Sequence, residues 1–125
     1  MAVPDRSTVE RALATFIGAF NALDRAEVEA CFVDYPTVFD AYGGYRRDGF
    51  WHERFDMWRG ERPGPPHQDL QPRDVEVQTL GEVAVATFHL EHRQETLGRR
   101  TVVLVRTPAG WKIAHLHASN MSRQG

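Results

Sequence analysis

Three groups of residues in the 125-residue chain carry chemistry beyond what folding needs. Asp40 follows Val38 and Phe39 in an otherwise apolar run, where a carboxylate is costly unless it is paired or used. In an apolar cavity such a group keeps its proton to higher pH, which suits a base working near neutrality. At a strand end it instead bonds the backbone of the Gly43-Gly44 turn or pairs with an arginine. His115 and His117 alternate with Leu116 and so share a parity with Trp111, Ile113 and Ser119. That aromatic-rich set is the natural inward face, which aims both imidazoles into a cavity. There an imidazole serves as acid, base or hydrogen-bond donor around neutral pH. Bonded to a backbone carbonyl or a carboxylate, it is structural. Arg99 shares its parity with Thr101 and Val103. Facing inward it binds a substrate carboxylate or keeps Asp40 ionised; facing outward it and Arg100 are two solvated cations beside a turn.

Aromatic residues supply the surface around these groups. Phe16 and Phe20 belong to an apolar helical stripe, and Trp51, Phe55 and Trp58 recur at helical spacing further on. Core packing is the default for tryptophan and phenylalanine at such spacing. Tyr42 and Tyr45 flank the Gly-Gly turn and fit a pocket rim with usable hydroxyls. The pair His115-x-His117 is also a ligand pattern for metal, with His89 or His92 as a third partner. Nothing else has metal-site spacing, and no metal or other cofactor is expected. Cys31 sits between Val28 and Phe32 on an apolar stripe and reads as a packed thiol.

The elements that must position these groups follow from the pattern. Ser7 and Glu10 form a capping box for a helix carrying Val9, Leu13, Phe16, Ile17 and Phe20. Asp24 and Glu27 cap a short second helix. A strand is expected over 36–42, and Asp48 can cap a third helix. Gly60 to Pro66, with three prolines and two glycines, is a surface loop. From Val75 onward the period changes to two, giving strands over 75–80, 83–92, 100–107 and 111–119 joined by short links. Helices first and strands last is α+β organisation, in the order ααβαββββ with an antiparallel meander. The chain is long enough for one domain, 1–125, with a core of its own.

Apolar residues make up 42% of the chain and its net charge is -2, which gives no footprint for nucleic acid or an anionic membrane surface. No run approaches the length needed to span a bilayer and no leader pattern opens the chain. With its single cysteine, this points to the cytoplasm. Both alternating sets are apolar in Thr101 to Val105 and in Val83 to Ala86, so both sheet faces require cover. Helices cover one. A second copy of the chain is the expected cover of the other, making a homodimer through the sheet; a strongly coiled sheet shielding part of its own outer face is the alternative.

Three stretches carry a family resemblance: 16–24, Thr37 to Asp40, and Gly110 to Ser119. They resemble the nuclear-transport-factor-2-like superfamily, which includes ketosteroid isomerase and the SnoaL-like polyketide cyclases. The resemblance covers nearly the whole chain. It implies a cone, in which a curved antiparallel sheet wraps around N-terminal helices and encloses a pocket. It also places Asp40 at the position of the isomerase's general base. The isomerase's oxyanion-holding tyrosine is matched by Phe16, which has no donor, and no late-strand acid matches its second donor. Steroid isomerisation by that route is therefore not expected. The expected function is a cofactor-free isomerase, cyclase or hydrolase acting on a small carbonyl-bearing molecule. Asp40 would be the base, and His117, with His115, the acid or oxyanion donor. Phe16, Phe20, Tyr42, Tyr45, Trp58, Arg99 and Ser119 would line the pocket. A non-catalytic ligand-binding or assembly module of the same fold is the alternative.

Overall fold

Helix α1 spans Arg6–Asn21 and buries Val9, Leu13, Phe16 and Ile17, the stripe that its spacing predicts. The computed structural model describes residues 6–41, 44–49, 55–61, 64–92 and 95–121, with 56–58 and 95–97 described by their backbone. Arg6 is already helical, so Ser7 lies inside α1 and not at its cap. At the other end Leu23 takes a left-handed conformation, φ 50°, with its side chain fully buried. Burial of a leucine offsets the 1–2 kcal/mol or so that this backbone costs. Asp24 then caps α2 (Arg25–Ala30), its carboxylate accepting from Glu27 N at 3.1 Å.

The rest of the chain is β1 (Phe32–Phe39), β2 (Arg47–Asp48), α3 (Phe55–Glu61), β3 (Leu70–Leu80), β4 (Val83–His92), β5 (Glu95–Thr107) and β6 (Gly110–Asn120). The six strands form one curved, unclosed sheet in the order β2-β1-β6-β5-β4-β3. This is the expected α+β architecture with two differences. A two-residue strand, β2, is added, and Asp48 belongs to it; what precedes α3 lies outside the described residues. The sheet is also not wholly antiparallel, because β1 pairs with β6 in parallel.

Strand β1 starts four residues before its expected position and accommodates Pro36 where its register with β6 shifts, between Phe32 and Thr37. A proline that lacks its N–H is tolerated at such an irregularity. Strand β3 starts five residues early because a bulge at Arg73 to Glu76, with Asp74 at φ 54°, absorbs an interruption that hides the alternation.

The inner face of the sheet presents Val38, Ala84, Ala86, Phe88, Leu90, Val102, Leu104, Ile113 and Leu116 to the helices, all buried. Phe16 packs edge-on against Phe20 and Phe32, with ring centres 5.9 and 5.6 Å apart. Phe20 meets Phe55 of α3 in the same way at 5.4 Å. Asn21 fastens this layer to the sheet. Its amide donates to Leu70 O at 3.0 Å and accepts from Leu70 N at 2.8 Å. Its backbone carbonyl accepts from His67 N and Gln68 N.

Candidate functional site

Asp40 continues the inner set begun by Val38. Its side chain is 8% exposed, and Arg47 Nε donates to Oδ2 at 2.6 Å. Arg47 stands directly across from Val38 in the β1–β2 ladder, so strand pairing delivers the guanidinium to the carboxylate. Of the two roles the sequence leaves open for Asp40, the pair with arginine is formed.

The histidines lie on the other side of the sheet. The shared parity with Trp111 and Ile113 is overturned by a bulge in β6. His115 pairs with Val103 and Ile113 with Leu104, leaving Ala114 as the extra residue. Past it the faces exchange: Leu116 is 4% exposed and in the core, whereas His117 is exposed. His115 Nδ1 lies 2.7 Å from Thr37 Oγ1, and both imidazoles contact the ring of Phe39, at 5.7 and 5.1 Å. Asp40, just past the end of β1, meets Arg47 on the Val38 side, whereas His117 of the adjoining β6 lies with Phe39 on the other, so the sheet itself stands between them.

Phe16 is buried in the core, and half-buried Phe20 packs ring to ring against it. Tyr45 is 98% exposed and lines no cleft among the described residues. Its neighbour Arg46 pairs with Asp48 on the surface, which lowers the Asp48 pKa through the hydrogen bond it accepts. Tyr42 and the side chain of Trp58 lie outside the described residues.

The outer face does bring three expected site residues together. Arg99, His117 and Ser119 line a hollow of about 390 Å³ with Thr87, His89 and Thr101. Arg99 Nε donates to Ser119 Oγ at 3.1 Å, and His89 Nδ1 sits 3.3 Å from Gly98 O. The cross-strand register produces the grouping. Thr87 faces Thr101 and Thr101 faces His117 in one row; His89 faces Arg99 and Arg99 faces Ser119 in the next. Thr87 and Thr101 were legible only as polar residues alternating with Ala86, Phe88 and Val102, and His89 only as a third partner for a metal. Beside this polar end lies an apolar block of half-exposed Val83, Val85, Val103 and Val105, with Leu80 63% exposed at its edge. Among the described residues no three of His, Cys, Asp and Glu gather as a metal requires.

A second cleft, of about 470 Å³, lies between the two N-terminal helices and the start of β6, and includes Thr8, Arg11, Glu27, Cys31, Trp111 and Lys112. Most of its polar groups are occupied internally: Trp111 Nε1 donates to Thr8 Oγ1, and Lys112 Nζ to Ala30 O. Cys31 is half-buried, its Sγ donating to Glu27 O at 3.3 Å, and burial pushes the thiol pKa up despite Lys112 nearby. That is the chemistry of a packed thiol and not of a nucleophile. No described helix is long and apolar enough to cross a membrane.

Solved structures share this architecture. A protein of unknown function from Pectobacterium atrosepticum is 27% identical, with a TM-score of 0.70 over 93% of this chain and 90% of that one. An NTF2-like protein of unknown function from Pseudomonas putida is 21% identical, with a TM-score of 0.74 over 90% and 84%. The CaMKII hub of S. rosetta is 20% identical, with a TM-score of 0.72 over 96% and 99%. No curated protein matches the chain. The family model for the SnoaL-like domain matches residues 9–123, nearly the whole length. Together with the helix-filled curved sheet, this match shows that the chain belongs to the SnoaL-like family of the nuclear-transport-factor-2-like superfamily.

Proposed function

We propose that the protein is a homodimeric small-molecule-binding module that pairs through the outer face of its sheet and holds its ligand in the hollow there. The observation that carries this reading is the division of one face into two halves. Val83, Val85, Val103 and Val105 form an apolar block at one end, and Thr87, His89, Arg99, Thr101, His117 and Ser119 a polar hollow at the other. Half-buried valines side by side on one sheet face favour a second apolar surface over water, and an identical face provides one under two-fold symmetry. The likeness to a hub in fold supports a role in association. The opposite-face arrangement of Asp40 and His117 favours binding over chemistry by an Asp/His pair.

The test is sedimentation at micromolar concentration. The wild-type chain should run as a dimer and Val103→Arg as a monomer with unchanged circular dichroism. At a two-fold interface each substitution enters twice, and two like charges facing one another cost several kcal/mol. A monomeric wild type removes the dimer. A metabolite panel read by melting temperature then finds the ligand, because binding to the folded state raises the midpoint.

A second reading keeps the enzyme. Its support is the Asp40 carboxylate itself, nearly buried on the inner face beside Val38, where removal of a proton from a carbon acid would need it. On this reading Asp40→Asn slows turnover of an identified substrate by roughly 10²–10⁴-fold while binding persists. If Asp40 only anchors Arg47, turnover changes within a few fold and stability falls by about 1–3 kcal/mol.

A further inference from the structure

We infer that the outer hollow is an oxyanion site, taking a small molecule by a carboxylate or phosphate group with Arg99 as its principal partner. This rests on the outer-face site proposed above and names the chemistry it recognises.

Arginines of the described chain differ in whether a carboxylate meets them. Arg6, Arg46, Arg47 and Arg73 each pair with a carboxylate. Among the described residues no carboxylate pairs with Arg99 or Arg100. Arg99 spends its Nε on Ser119 Oγ, which fixes the guanidinium and leaves its two terminal amino groups for a ligand. Arg100 Nη1 donates to the carbonyls of Arg99 and Ser119, at 2.9 and 3.0 Å. Those carbonyls belong to β5 and β6, but Arg100 faces Phe88 and Ala118 in the register and shares the parity of buried Val102, so its side chain lies on the inner side of the strands whose outer side forms the hollow. Burial pulls the Arg100 pKa down to about 10, the mark of a cation stripped of water without a counter-charge. Room for Arg100 comes from Gly98, where a Cβ would stand 3.2 Å from Nη1 and 2.9 Å from Leu90 Cβ.

The remaining lining suits the same ligand. Thr87, Thr101 and Ser119 offer hydroxyls, and His89 and His117 offer ring nitrogens. Acidic groups approach the hollow from β3. Asp74 lines the hollow from β3, and Glu76 faces Thr87 from the same strand. Strand β3 is two strand spacings from β5, about 9.6 Å in the sheet. The hollow is therefore positive at its β5–β6 end and negative at its β3 edge.

Calorimetric titration of the full chain with succinate, inorganic phosphate and the uncharged analogue succinamide tests this. At least one anion should bind and succinamide should not. Which anion binds tells the carboxylate from the phosphate source. Arg99→Gln should weaken binding by about 10- to 100-fold, as loss of a charge-assisted bond does, with the unfolding midpoint unmoved. Asp74→Asn should strengthen it by about 2- to 5-fold through removal of a like charge from the β3 side of the hollow. Failure of both anions to bind, or binding untouched by Arg99→Gln, overturns the inference. If uncharged compounds of the panel bind and lose affinity in Thr101→Val, the outer-face site stands and only its oxyanion chemistry falls. If anions bind through Arg99 to a monomeric chain, the inference stands and the dimer falls.

Discussion

Phe55→Ala should lower stability by about 3–5 kcal/mol, the range for truncating a fully buried phenylalanine. Phe55 is 1% exposed and meets Phe20 edge-on at 5.4 Å. It carries α3 onto the aromatic layer, and a seven-residue helix has too few turns to hold itself together without such an anchor. Urea denaturation should show the loss as a lower midpoint at nearly unchanged slope, and the melting temperature should fall by roughly 10 °C or more. A loss below about 1 kcal/mol would mean that the layer closes without α3.

Asn21→Leu should cost about 2–4 kcal/mol although it adds apolar surface at the end of an apolar helix. The substitution deletes both side-chain bonds to Leu70 and leaves the N–H and C=O of that residue without them. Each half-buried backbone group deprived of its partner costs about 1–3 kcal/mol, more than leucine recovers. Asn21→Asp separates the two bonds: its carboxylate still accepts from Leu70 N but offers nothing to Leu70 O. Its loss should be the smaller of the two. Hydrogen exchange at the Leu70 amide reports the clamp directly, with protection lost in the leucine variant and kept in the aspartate one. Equal destabilisation by both would place the cost elsewhere.

The elements that sequence revealed most fully are those in which nothing interrupts the alternation. Strand β4 runs Val83–His92 as its period-two pattern predicts, and α1 buries the predicted stripe. Where one residue is inserted or one position forbids pairing, the pattern misleads. Pro72 and the left-handed Asp74 break the alternation of β3 and hide its first five residues. Ala114 costs more. A single unpaired residue reverses every side chain beyond it, and so carries His115 and His117 from the inner to the outer face. A bulge has no residue-type signature in this strand, and the partner strand that reveals it is identified only by the fold. The pair between Asp40 and Arg47 was legible as a possibility, but its partner required the two-residue strand β2, too short to leave a period.

The parallel contact between β1 and β6 has a consequence for how the chain reaches its native state. The strand nearest the start of the sheet in sequence sits beside the strand formed last, with Thr37 opposite His115 across 78 positions. Strands β3 to β6 can zip hairpin by hairpin, each closing a short loop. The pair β1–β2 has no other strand to join and must wait for β6. Closing so long a loop costs entropy before any contact rewards it, which puts this step among the slow ones. During synthesis the helices and β1 emerge while the strand that completes them is still being made. Until β6 arrives, one edge of β1 and the aromatic layer above it remain open to other chains.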